Sequence, residues 1–376
     1  MATNQFEDLS ASECCSQARK LWLSGSSDLI RVEKLYRKAL KATKTSNSKT
    51  NGKRRRILQL SKSEYKAAGE KLALLLCQSG QWEKAQKGLT SMGYRCRLAS
   101  CVLDYPEVRS PSTSSQSPPC RVYDNFLSEE ETAILKEVFE DRGASYWIDH
   151  GYEVEPPSPY FSYVVPLEHA TSDFGFIGHL MHKCRRQLQS RFPDLEEAKH
   201  VEMWAHNRPH ASGHQMHFDS DNEGIGGVRN PIISTILYIT GGVGGPSLVT
   251  NQTLNDRRIA NKGWMSHPRE KRLVAFDGRV LHGVVPGKGC KTGRRVTLMF
   301  AFWKDIELRG GNEPVAARQF PMSSEWASLL RQDFACTQST QPTPVEPIEV
   351  DRVYEKLDGT EWKLGLPNYD VVFQGF

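Results

Sequence analysis

Three residues in the middle of the chain have the types and spacing to hold a metal ion. His217 and Asp219 stand two apart in HQMHFDS. In a β-strand, alternation turns both side chains to one face, with Cα atoms about 7 Å apart. His282 supplies a third ligand from LHGVVPG, which follows directly on an AFDG turn. Two imidazoles and one carboxylate on one side of an iron(II) ion leave three positions open, enough for a bidentate 2-oxo acid and for dioxygen. Such a centre supports hydroxylation coupled to decarboxylation of 2-oxoglutarate to succinate, the protein contributing the geometry.

His-x-Asp alone recurs by chance, and its surroundings give it weight. Arg295 comes thirteen residues after His282, and Gly293, Arg295 and Thr297 spell Gly-x-Arg-x-Thr at the start of the apolar run RRVTLMFAFW. A guanidinium is the natural bidentate partner of the distal carboxylate of 2-oxoglutarate. Thr297 lies on the same strand face, where its hydroxyl can donate to that carboxylate. Arg294 is the rival of Arg295, but alternation sends them to opposite faces. Val296, Leu298, Phe300 and Phe302 share the Arg294 parity and read as packing beneath helices, which favours Arg295 as the inward residue. His206 and His214 read as pocket lining or surface rather than ligands. His210 and His267 read as loop residues. Glu202 and Trp204 share a face of VEMWAHN and line the cleft or pack in the core.

The elements that must position these groups are short and β-like. VEMWAHN, HQMHFDS, IISTILYIT, SLVTN, RLVAFDG, LHGVVPG and RRVTLMFAFW are separated by Gly, Pro and Asn/Asp clusters. Helices precede them. Ser128 with Glu131 predicts a capping box at one helix start, and a second helix is expected from Phe174 to about Arg191. The fold class expected is α+β: a double-stranded β-helix (jelly roll) backed by helices, preceded by a small all-α helical-hairpin domain. Residues 1–103 form that domain, with LALLLCQSGQWEKAQKGL similar to a tetratricopeptide unit. The Lys/Ser/Asn-rich stretch 43–62 breaks a clean repeat period. A Pro/Ser-rich linker covers 104–120, the β-rich domain 121–305, and a partly irregular C-terminal extension 306–376. There ACTQSTQPTPVEP reads as extended or disordered, and the end, with Trp362 and Phe373, is expected to dock on the body.

Composition sets the outer bounds. Among 376 residues, 38% are hydrophobic and 25% charged, as in soluble globular proteins, and the net charge of +5 gives no strong argument for nucleic acid. No run of about 18 apolar residues exists, so no ordinary membrane span is expected. The nine cysteines (14, 15, 77, 96, 101, 120, 184, 290 and 336) include no CxxC pair, which favours free thiols in a reducing compartment. Cytosol is the default, and Lys53-Arg54-Arg55-Arg56 is either a nuclear signal or a solvated loop. Between Thr250 and Arg272 lies a long polar insert. Its Arg257, Arg258, Lys262, Arg269, Lys271 and Arg272 read as a mobile charged loop or a site for an acidic partner.

The run from RVYDNFLS through GHQMHFDSD, ILYITGGVGGPSLV and FDGRVLHGVVPG to RRVTLMFAFW resembles the prolyl-4-hydroxylase-like branch of the 2-oxoglutarate/iron(II) dioxygenases, over roughly residues 121–305. The resemblance implies His217, Asp219 and His282 as iron ligands and Arg295 as the partner of the 2-oxoglutarate distal carboxylate. It implies Tyr238 as a second group on that carboxylate, and Fe(II), 2-oxoglutarate, O2 and L-ascorbate as cofactors and cosubstrates. The expected substrate is a prolyl or other residue of a protein or peptide, or a small molecule. Asp219 disfavours halogenation, which in this superfamily needs a small residue there. Nucleic-acid dealkylation of the AlkB kind needs a second arginine shortly after the first, and after Arg295 none follows until Arg309. From another class, the alternative is an interaction protein with a non-catalytic jelly roll and N-terminal helices that bind a protein partner.

Overall fold

The computed structural model describes residues 9–25, 28–45, 60–107, 118–153, 161–221, 228–256, 258–306, 317–334, 341–357 and 371–375. The basic run Lys53–Arg56, most of the Pro/Ser-rich linker, Arg257, Cys336 and Trp362 lie outside them.

Helices α1 (Ala11–Leu23), α2 (Leu29–Thr45), α3 (Lys62–Gln78), α4 (Trp82–Ser91) and the short α5 (Ser100–Leu103) come first, with strand β1 (Cys96–Leu98) before α5. Strand β2 (Cys120–Asp124) leads to α6 (Glu129–Phe139) and α7 (Ser145–Asp149). Strand β3 (Ser162–Pro166) leads to α8 (Ala170–Asp173) and α9 (Gly175–Leu188). Ser128 and Glu131 close a reciprocal capping box at the start of α6. Glu131 also accepts from Lys183 of α9 at 2.6 Å, so one buried carboxylate ends a helix and ties it to its neighbour.

Eight strands then follow: β4 (His200–Pro209), β5 (His214–His217), β6 (Ile233–Tyr238), β7 (Ser247–Thr253), β8 (Gly263–Ser266), β9 (Leu273–Asp277), β10 (Val280–Val284) and β11 (Arg294–Trp303). They pair antiparallel as a nested set: β4 with β11, β5 with β10, β6 with β9, and β7 with β8. A long hairpin rolled over itself gives this order, the pairing order of a jelly roll. One sheet runs β3-β4-β11-β6-β9-β2 in its middle, and the other β8-β7-β10-β5.

Strand alternation sorts the residues into layers. Val296, Leu298, Phe300 and Phe302 face outward from the larger sheet and pack with Leu135, Phe139, Leu180 and Trp326 from the helices. Tyr238, Val249, Trp264, Val274 and Phe276 fill the space between the sheets at one end. The outer face of the smaller sheet is covered as well. Met216, Leu248, Leu281 and Val285 belong to one apolar cluster with Ala18, Leu35, Leu75 and Leu89 of the first four helices. Helices therefore flank both sheets. The turn after α1 is part of this contact: Gly25, at φ 75°, lies so close to the Lys291–Thr292 backbone that a Cβ would stand 2.6 Å from it.

One expectation needs correction. The stretch 250–272 is not a free charged loop. It contains β8, and four of its cations are paired: Arg272 and Arg269 with buried Asp124 at 2.6 and 2.8 Å, Lys262 with Glu349 at 3.1 Å, and Lys271 with Glu129. Trp264 and Met265 pin the strand between two apolar clusters, which four residues among polar neighbours do not announce. The region after Asp305 includes short ordered elements among its described residues. It carries β12 (Ala317–Gln319), α10 (Glu325–Leu330), β13 (Thr343–Val345), β14 (Ile348–Val350), β15 (Tyr354–Lys356) and β16 (Val372–Phe373). β12 joins β3, β13 joins β2, β14 joins β8, and β15 and β16 hold β1 between them. These pieces are too short for periodicity to show, and their order comes from sheet edges already in place.

Candidate metal centre

β5 and β10 are neighbours, and their register sets His217 directly opposite His282. Asp219 differs from the sequence expectation: β5 ends at His217, and Asp219 lies two residues beyond it. It is held there by β6, whose Ser234 hydroxyl donates to Oδ2 at 2.6 Å, and by Asn230, whose amide donates to the Asp219 carbonyl at 2.7 Å. Ligand atoms of His217, Asp219 and His282 lie within 4.8 Å of one another. Oδ1 of Asp219 is 3.5 Å from Nε2 of His217 and 3.6 Å from Nε2 of His282.

The donor set fits a divalent ion. Nδ1 of His217 lies 2.8 Å from the Gln215 carbonyl, and Nδ1 of His282 lies 3.0 Å from the Val280 carbonyl. A carbonyl only accepts, so each Nδ1 carries a proton, which leaves each Nε2 facing Asp219 as the nitrogen available to a metal ion. Burial presses Asp219 toward neutrality, yet the His282 and His217 charges and the Ser234 hydroxyl outweigh it and hold the carboxylate far below its usual range. Burial lowers His282 to about 4, against the pull of Asp219. For His217, burial is outweighed by Asp219, and the pKa rises.

These residues line a cleft with Trp204, His206, His214, Ser247, Arg295 and Thr297. Arg295 is buried, and its Nε and Nη1 have no hydrogen-bond partner. Burial pushes its pKa down to about 10. Arg294 points the other way and donates to Asn207. Thr297 stands in register between His206 and Tyr238. Tyr238 is fully buried, its hydroxyl 2.7 Å from Ser247 Oγ, so Ser247 is the group of that pair on the cleft wall. Trp204 is on the wall, whereas Glu202 accepts from Ser162 at 2.5 Å and from Trp303 at 3.1 Å in the core. His267 meets the Pro106 carbonyl at 2.9 Å. Sequence reasoning missed Ser234, whose signal is a hydroxyl on the inward parity of an otherwise apolar strand. It also missed Ser247.

The histidines have a collective consequence. Burial is the first cause that lowers the pKa of eight of the eleven: His150, His179, His182, His206, His210, His214, His267 and His282. Between those lowered values and the unfolded value of about 6.5, the unfolded chain binds more protons, so stability falls as pH falls through that window. His217, raised, acts in the opposite sense but is one against eight. Denaturation midpoints of the metal-free protein are expected to drop clearly between pH 7.5 and pH 5.5. A midpoint equal or higher at pH 5.5 contradicts this.

No protein-family model matches the sequence, and no curated protein matches it. Several solved structures are similar to part of it. A viral collagen prolyl hydroxylase from Paramecium bursaria Chlorella virus-1, solved with 2-oxoglutarate, is 16% identical, with 49% of this chain and 95% of that chain covered and a TM-score of 0.31. A Pseudomonas putida prolyl-4-hydroxylase is 16% identical over 50% of this chain and 93% of that one, with a TM-score of 0.32. A Trichoplax adhaerens prolyl hydroxylase, in complex with a hypoxia inducible factor peptide fragment, is 12% identical over 65% and 94%, with a TM-score of 0.30.

Proposed function

We propose that this chain is an Fe(II)- and 2-oxoglutarate-dependent dioxygenase that hydroxylates a C–H bond. The observation that carries the reading is Arg295: a buried guanidinium with two unpartnered N–H groups on the wall of the cleft that His217, Asp219 and His282 also line. A cation left so is costly unless an anion completes it. In this reading His217, Asp219 and His282 hold the iron. Arg295 takes the distal carboxylate of 2-oxoglutarate, Thr297 donates to it, and Tyr238 supports the same end through Ser247. Iron with 2-oxoglutarate and O2 supplies the oxidising power, releasing succinate and CO2, and ascorbate keeps the metal reduced. His206 and His214, held neutral by burial, add no positive charge beside the cation. Trp204 and Met299 give the cleft an apolar wall, suited to a carbon substrate such as a prolyl or other residue of a protein or peptide, or a small molecule.

The test is anaerobic binding of Fe(II) and 2-oxoglutarate to wild type and His217→Ala, followed by visible absorption. A weak metal-to-ligand charge-transfer band is expected in wild type alone, with iron-dependent succinate formation once air is admitted. Iron bound to folded wild type without that band would sink the reading and leave an interaction protein as the better account.

A further inference from the structure

The loop of residues 241–245 (GGVGG) joins β6 to β7 and lies against the stem of Arg295. Gly244, at φ 87°, is so close that a Cβ built there would stand 2.8 Å from Cδ of Arg295 and 3.1 Å from its Cβ. Its backbone is therefore one wall of the slot that confines the arginine's methylenes. His210 holds that wall. Its Nδ1 accepts the Gly244 N–H at 2.8 Å, and its Nε2 donates to the Lys288 carbonyl at 2.9 Å. Its own carbonyl accepts the Gly287 N–H at 2.9 Å. An N–H at Nδ1 and a carbonyl at Nε2 select one neutral tautomer. Burial, which lowers the His210 pKa, keeps the ring in that state. His210 is itself 4% exposed and stands behind the cleft wall, although its sequence context reads as a loop.

The far side of this clamp is braced by the N-terminal region. The Gln78 amide at the end of α3 donates to the Pro286 carbonyl at 3.2 Å. The Tyr105 hydroxyl accepts the Lys288 N–H at 2.7 Å, and Asp104 pairs with the Lys288 ammonium at 2.5 Å. A continuous series of contacts thus runs from the helices through residues 286–288 and His210 to Gly244 and Arg295.

We propose that His210 is a positioning residue for the 2-oxoglutarate subsite: by fixing the Gly244 backbone it sets where the Arg295 guanidinium stands, and the N-terminal region braces it. The proposal rests on the oxygenase reading above. Two substitutions separate its two hydrogen bonds. His210→Asn places an amide oxygen where Nδ1 stood and keeps the Gly244 bond, while losing the one to Lys288. His210→Gln does the reverse. Each loses one bond, so a purely structural role lowers Tm alike in both and leaves ligand affinity alike.

The full-length chain, loaded with Mn(II) to avoid turnover, is titrated calorimetrically with 2-oxoglutarate. Expected are a Kd within about threefold of wild type for His210→Asn and a weakening of about 10–100-fold for His210→Gln, the same order as the loss when a group that orients a metal ligand is removed. Equal affinities in the two variants overturn the proposal and leave the oxygenase reading standing. Wild type that binds Mn(II) but not 2-oxoglutarate overturns both.

Discussion

Arg295→Met is expected to act in opposite directions on binding and on stability. Affinity for 2-oxoglutarate in the metal-loaded protein should fall by about 30-fold or more, because truncating one partner of a buried charge pair costs roughly 2–5 kcal/mol. The ligand-free protein should unfold at an equal or higher temperature. Without its anion the guanidinium is buried with Nε and Nη1 unpartnered, and an unbranched apolar side chain of similar length removes that penalty. Thermal unfolding without ligand and calorimetric titration with it separate the two effects. A ligand-free variant much less stable than wild type would make Arg295 a structural member of the core.

The second large effect is expected from Asp219→Ala. Outer partners of metal ligands cost about 10–100-fold in metal affinity, and loss of the one carboxylate should exceed that range. The two imidazoles remain, but they lose the carboxylate that faces both His217 and His282 across the site. Burial then acts on His217 without its main compensation, and its pKa should move from above the usual histidine value to below it. Mn(II) titration reads the affinity, and the ring resonances of His217 followed against pH in the metal-free protein read the shift. Undiminished metal binding by the variant would place the ion elsewhere.

How much of this was legible depended on the physical range of each signal. Strand alternation is local, so the opposite directions of Arg294 and Arg295 followed from their parity, and RRVTLMFAFW shows the outward apolar set that goes with it. The meeting of His217 and His282 is set by a ladder between β5 and β10, and only the order of the motifs hinted at it. Asp219 shows the limit: two residues from His217, it is placed by Ser234 of another strand rather than by continuation of β5. His210 was unreadable for the same reason, since its partners Gly244 and Lys288 come from two separate loops. The cations of residues 250–272 looked solvated because Asp124, the anion that Arg269 and Arg272 share, lies more than a hundred residues away in the chain.

The strands that close around β1 also carry a temporal consequence. Arg97 and its partner Glu355 are 258 residues apart, so at translation rates of about 5–20 residues per second the first waits roughly 13–50 s for the second to be synthesised. Until then β1 has unpaired edges, and the helices before it cannot complete the cluster they share with β7 and β10. The chain is therefore expected to finish folding only after residues 354–373 have left the ribosome. A nascent polypeptide stalled before that point should be protease-sensitive in its N-terminal hundred residues as well as at its growing end.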